Sequence, residues 1–207
     1  MKNIPKIIGI VGCTLAIVVV VAGVLYFTGW LTWRWDERRA SLPADACQFV
    51  GKTDIRDLIP DAELQNGSLN SKTEWEQALQ CYARSSDPVE SATLTVDITR
   101  FMPSDVGAST QERALAWGKE QCRLAAGKFP GSGRKQPTPE LTEKTDHSCG
   151  FANRSGRDIH VELVAVQAVD TISISFTRRE TTPELAGSAV ARLADDVLGE
   201  LATDSDG

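Results

Sequence analysis

Four cysteines, Cys47, Cys81, Cys122 and Cys149, are the residues of this 207-residue chain whose type and spacing point most clearly to chemistry. They are even in number, widely spaced and contain no C-x-x-C pair. Zinc and redox sites usually need close pairs, whereas scattered even cysteines suit disulfides in an oxidising compartment. Four cysteines allow three connectivities. Pairing Cys47 with Cys81 and Cys122 with Cys149 ties a helical segment to the strand that follows it in each half of the chain; a crossed pairing such as Cys47–Cys149 is the alternative. The competing reading is four reduced thiols packed as small hydrophobes in a cytosolic domain.

Other reactive groups are sparse. The two histidines, His147 and His160, have no G-x-S-x-G or similar nucleophile setting. His160 is expected on the polar face of a strand, solvated, and His147 in the loop before Cys149. The stretch Gly131-Ser132-Gly133-Arg134-Lys135 lacks the full phosphate-loop pattern and reads as a linker. Asp45, Asp54, Asp57 and Asp61 do not match a calcium loop. Trp75 and Trp117 are expected at helical positions, as core or satellite packing. No catalytic, cofactor-binding or metal residue is assigned, and no cofactor is expected.

The start of the chain has a different character. After Met1-Lys2-Asn3-Ile4-Pro5-Lys6 comes an uncharged apolar run, Ile7 to Trp30, followed by Trp33 and Trp35. At helical rise its length is about 36 Å, enough for a hydrocarbon core of roughly 30 Å. It is too long for a signal-peptide core, and its aromatic exit suits a membrane interface. Ile10-Val11-Gly12-Cys13 also looks like a lipobox, which makes a lipoprotein acylated at Cys13 the alternative. Gly12 and Ala16 satisfy small-xxx-small spacing, a pattern too common to establish dimerisation. The basic residues flanking the run do not decide its orientation; the cysteines favour an exported C-terminal part.

The expected organisation is a cytoplasmic N-terminus over 1–6, a transmembrane anchor over 7–30, a juxtamembrane stalk over 31–44, an extracytoplasmic domain over 45–202 and an acidic tail over 203–207. Beyond the run lie 20 basic and 28 acidic residues, a formal charge of −8. Nucleic acid is a poor partner for such a surface.

Periodicity predicts the elements. Thr53 can cap a short helix over 54–59, stopped by Pro60. Residues 65–72, rich in Asn, Gly and Ser, read as a loop. Ala92, Leu94, Val96 and Ile98 alternate with polar residues as in a half-buried strand. Ser109 and Glu112 form a capping box opening a helix whose apolar face takes Leu115, Gly118, Cys122 and Ala125. A loop over 128–144 follows, then strands around 151–153, 159–163 and 172–176. Thr182 and Pro183 start a last helix with Leu185, Ala189, Leu193, Val197 and Leu201 as its buried stripe. The expected fold class is α+β: an N-terminal transmembrane helix, then an antiparallel sheet covered by helices in the order α-β-β-α-β-β-β-α.

The run Cys47-Gln48-Phe49-Val50-Gly51-Lys52-Thr53, continuing to Leu58-Ile59-Pro60, resembles the opening C-x-L-L-T…L-L of small cysteine-paired envelope proteins of high-GC Gram-positive bacteria. That family has no assigned function and is usually made as lipoproteins. Its second cysteine heads a strand, often as C-x-W; the matching place here is Cys81-Tyr82-Ala83-Arg84, with no Trp. The resemblance covers Asp45 to Ala202 in element order and implies a PsbP/Mog1-like α/β sandwich. The expected function is a non-catalytic, membrane-anchored binding or assembly module of the cell envelope: a single-pass protein of the cell membrane, its C-terminal domain extracytoplasmic. Its partner would be an envelope protein, a lipid or a glycan. The alternative is a membrane-tethered hydrolase whose site no local motif reveals.

Overall fold

Strict alternation in two strands sets the architecture. In β4 (Thr93–Phe101), Leu94, Val96 and Ile98 point to one face and Thr93, Thr95 and Asp97 to the other; in β8 (Asp170–Arg179), Ile172, Ile174 and Phe176 oppose Ser173, Ser175 and Thr177. Side chains on a strand alternate sides, and β-branched and aromatic residues pack well on a pleated surface. The two strands pair antiparallel, with Val96 opposite Ile174, and form the centre of the sheet. The structure, a computed structural model, describes residues 42–52, 55–67, 71–87, 91–104, 107–127, 136–141 and 144–204.

Around this centre the chain adds β1 (Ala62–Asn66), β2 (Ser71–Lys72) and β3 (Glu76–Ser85) on one side. On the other come β5 (Gln136–Pro137), β6 (His147–Ser155) and β7 (Asp158–Gln167). The sheet is antiparallel in the order β1-β3-β4-β8-β7-β6-β5, with β2 also paired to β3. Three helices, α1 (Cys47–Lys52), α2 (Thr110–Gly127) and α3 (Pro183–Asp204), and a 3-10 turn at Ile55–Asp57 complete the described elements.

The expected fold class is corrected. Three strands are added: β1 runs into what reads as the loop 65–72, β2 lies at the end of that loop, and β5 lies within the loop 128–144. No helix among the described residues is long and apolar enough to cross a membrane. The run Ile7–Trp30, Cys13 and the segments assigned to 1–6 and to most of 31–44 lie outside the described residues. Leu42 is described, and it is buried in the main core.

Two corrections concern helices. In place of a helix over 54–59 there is one 3-10 turn, closed by Leu58 N–H and Ile59 N–H donating to the Ile55 carbonyl at 2.9 and 2.8 Å; Pro60 leaves no room for a second turn. Thr53 lies outside the described residues. The helix sits upstream, where the Asp45 carboxylate accepts from Cys47 N–H at 2.8 Å and caps α1. In α3 the buried stripe is Ala186, Ala189, Val190, Leu193, Val197 and Leu201, and Leu185 is 67% exposed.

The sheet is covered unequally. Helices α1 and α3 close one face over the main core, from Leu79 and Cys81 to Leu163 and Phe176. On the other face α2 covers only part, packing Ala114, Leu115 and Trp117 against Phe101 and Val166. A Cβ on Gly118 would overlap the Val166 side chain, so this glycine sets the close approach of α2 to β7. The capping box is as read from sequence: Ser109 N–H donates to the Glu112 carboxylate at 2.8 Å and Glu112 N–H to the Ser109 hydroxyl at 3.2 Å.

Candidate functional site

The four cysteines form two disulfides, Cys47–Cys81 and Cys122–Cys149. The first joins α1 to the core side of β3, and the second joins α2 to β6 on the other face of the sheet. Each face therefore has a helix covalently held against it.

The remaining sequence candidates are dispersed. His160 is half-buried, with Nδ1 3.0 Å from the Thr177 hydroxyl. His147 belongs to β6, not to a loop, and its Nε2 is buried without a hydrogen-bond partner. The reason is that β6 begins earlier than its alternation reveals, with His147 opposite Val166. Since His160 lies opposite Asn153, six strand residues separate the two rings, about 20 Å at strand rise. They do not share a site. Trp75 is in the turn between β2 and β3, not in a helix, and is 45% exposed, whereas Trp117 packs in α2 as expected.

Of the aspartates, Asp45 caps α1, Asp57 pairs with Arg192 and Asp54 lies outside the described residues. Asp61 accepts from the Ser86 and Ser85 hydroxyls and from Asp87 N–H. Those donors, Ser86 foremost, hold its carboxyl down at about 2. Residues 131–135 are also outside the described residues. Among the described residues no three His, Cys, Asp or Glu side chains gather in a metal-holding group.

What the fold does assemble is a groove between α3, the 3-10 turn and the end of β8. Its volume is about 340 Å³, within the range of ligand sites. Leu58, Phe176, Ala186 and Ala189 form an apolar floor, and Leu185 stands exposed at the rim. Asp57, Arg178, Glu180 and Arg192 bring charges of both signs to the same place. Arg178 donates to the Leu58 carbonyl at 3.0 Å, which holds the 3-10 turn against the strand end. Arg192 meets Asp57 at 2.8 Å, with both side chains largely in solvent.

Local structure explains the groove's shape. Glu180 takes a left-handed backbone conformation, φ +56°, which ends β8 and turns the chain toward α3. Thr182 then caps the helix, its hydroxyl accepting from Leu185 N–H at 3.3 Å. The helix thus starts with Leu185 facing away from the sheet and Ala186 facing it. Small residues at 186 and 189 leave the space that larger ones would fill.

A second depression of about 340 Å³ lies beside β6, lined by Thr138–Leu141, Ser148–Phe151 and Leu163. Its only charged lining residue is Glu140. The uncovered part of the sheet is different again: Gln80 donates to Asp97 at 2.7 Å and Ser175 to Glu162 at 3.1 Å, bonds that knit neighbouring strands across a polar face. Of these two depressions among the described residues, the α3 groove is the one that combines an apolar floor with convergent charges.

No protein-family model matches the chain, and no curated protein sequence does. Its function must be read from its own residues.

Sequence reasoning missed this groove. Its parts come from residues 57–58, 176–181 and 185–192, and none forms a local motif. Arg178 and Arg192 each look like ordinary surface charges. The one available signal was the apolar Leu185 beside Thr182-Pro183-Glu184, and it reads as a core position.

Proposed function

We propose that this protein is a non-catalytic binding or assembly module of the bacterial cell envelope. It is anchored to the cell membrane through its apolar N-terminal run, with the folded domain on the extracytoplasmic side. The observation that carries the reading is the groove between α3 and β8. Its floor takes an apolar body, and its rim takes a charged or zwitterionic end through Arg178 and Arg192 or Asp57 and Glu180. The ligand is therefore amphipathic: a lipid-like molecule or an apolar segment of an envelope protein.

Two further observations support the compartment. Two disulfides in one domain suit an oxidising environment. The resemblance around Cys47 and Cys81 to cysteine-paired envelope proteins agrees with it. A non-catalytic role is favoured because the histidines are far apart and the His160–Thr177 contact lies on the face of β8 opposite Phe176, away from the groove.

Native mass spectrometry of the full chain, extracted from its own cells in mild detergent, tests this reading. A bound small molecule or peptide is expected, lost when Ala189→Trp fills the groove and weakened by Leu185→Arg at its rim. A ligand that survives both changes contradicts it.

A further inference from the structure

Among the described residues the sheet ends on one side in a strand whose outer edge is unpaired. This strand, β1, Ala62-Glu63-Leu64-Gln65-Asn66, has β3 as its one neighbour in the sheet among the described residues, and it is exposed from Glu63 to Asn66. Gly67 N–H donates to the Gln80 carbonyl at 2.8 Å. Because antiparallel bonding alternates along a strand, Gln65 and Glu63 turn their backbone groups to β3, while Ala62, Leu64 and Asn66 turn theirs outward. The Ala62 N–H is used locally, donating to the Ile59 carbonyl at 3.2 Å. The outward groups of Leu64 and Asn66 have no partner among the described residues, and the Leu64 side chain is 38% exposed beside them.

Exposed edges are usually protected by lysine, proline, bulges or shortness. The opposite end of the sheet carries β5, two residues long, one of them Pro137, which has no N–H to offer. β1 carries no lysine, arginine or proline. Its one charge is Glu63.

We propose that β1 is a self-association edge, pairing antiparallel with β1 of a second copy about a two-fold axis at Leu64. The strand is self-complementary in that register. Leu64 faces its own counterpart and exchanges both backbone hydrogen bonds with it. Asn66 N–H donates to the free carbonyl of Ala62 in the other copy. Glu63 lies opposite Gln65, so each carboxylate meets an amide donor, not its like. Moving the axis to Glu63 would set two carboxylates face to face, which costs stability. The contact is isologous, using the same edge of both copies, so it closes at two and makes a dimer with a continuous sheet. This proposal is independent of the groove, none of whose lining residues belongs to β1.

The test uses the full chain in detergent with benzoylphenylalanine at position 64, mixed from light and heavy-nitrogen preparations. Irradiation should yield a mixed-isotope crosslink joining residue 64 to the peptide that contains 62–66 of the second copy. Gln65→Glu sets carboxylates opposite each other at both ends of the pair and should lower that crosslink by about tenfold. In a separate sedimentation measurement without the crosslinker, Leu64→Lys should weaken dimerisation to a similar degree. Retention of both disulfides reports that each variant is folded. Crosslinks confined to one copy, directed elsewhere on the second copy or made to a different protein would overturn the proposal, as would a dimer indifferent to both substitutions.

Discussion

Arg100 and Asp170, seventy residues apart in sequence, form a two-pronged ion pair inside the seam between β4 and β8. Arg100 Nε donates to one carboxylate oxygen at 2.7 Å and Nη2 to the other at 3.0 Å, with the side chains 0% and 2% exposed. The pair lies where the first half of the sheet meets the second, one strand from Gln77, whose side-chain amide donates to the Leu42 carbonyl at 2.9 Å. Charges so buried are tolerated only when paired.

Breaking this pair on one side should therefore be costly. Asp170→Asn or Arg100→Ala is expected to destabilise the protein by about 3–5 kcal/mol, because one buried charge is left without its partner. Replacing both by apolar residues of similar volume should cost far less. Urea unfolding followed by circular dichroism compares the three variants.

The disulfides should contribute comparably. They close spans of 34 and 27 residues, for which loop entropy gives about 3.5–4 kcal/mol each. Cys47→Ser with Cys81→Ser should free α1 from β3 and expose the core beneath it. Cys122→Ser with Cys149→Ser should loosen α2 on the opposite face and leave the groove intact. Hydrogen exchange of the two variants distinguishes these local effects.

Much of the interior was legible because its residues obey a single period. The Leu94-Val96-Ile98 and Ile172-Ile174-Phe176 alternations and the Ser109–Glu112 box appear as read. The expected order of strands needed correction, for physical reasons. An edge strand such as β1 is exposed on both faces, its Ala62-Glu63-Leu64-Gln65 alternation is too short to stand out, and its Asn and Gly neighbours imitate a loop. Leu185 fits a helical stripe as well as its neighbour Ala186 does; only the angle at which α3 leaves Thr182 decides between them. Arg100 and Asp170 look like solvent-facing charges at strand ends until the register sets them opposite each other.

Acid should reveal the Asp61 clamp. The Ser86, Ser85 and Asp87 donors depress this carboxyl from 3.8 to about 2, and a carboxylate depressed in the folded state stabilises it above its unfolded value. That stabilisation is complete above pH 4, declines below it and is lost as the pH falls through about 2. Glu112 is lowered in the same direction by Ser109. Melting temperatures should therefore fall less steeply between pH 4 and pH 2 in Asp61→Asn than in the parent.

The proposed extracytoplasmic placement can be tested directly. Protease added to intact protoplasts should remove the domain, and thiol alkylation without reductant should leave Cys47, Cys81, Cys122 and Cys149 unmodified. Protection of the domain, or ready alkylation of those four, would put it in the cytoplasm.

The most direct measurement of the binding role is photocrosslinking in cells from Leu185 at the groove rim, with Glu120 on α2, which lies away from it, as the reference position. The expected result is a discrete adduct with a lipid or one envelope protein from position 185, absent from position 120 and lost with Ala189→Trp. Equal labelling from both positions, or labelling at 185 that persists when the groove is filled, would contradict the account.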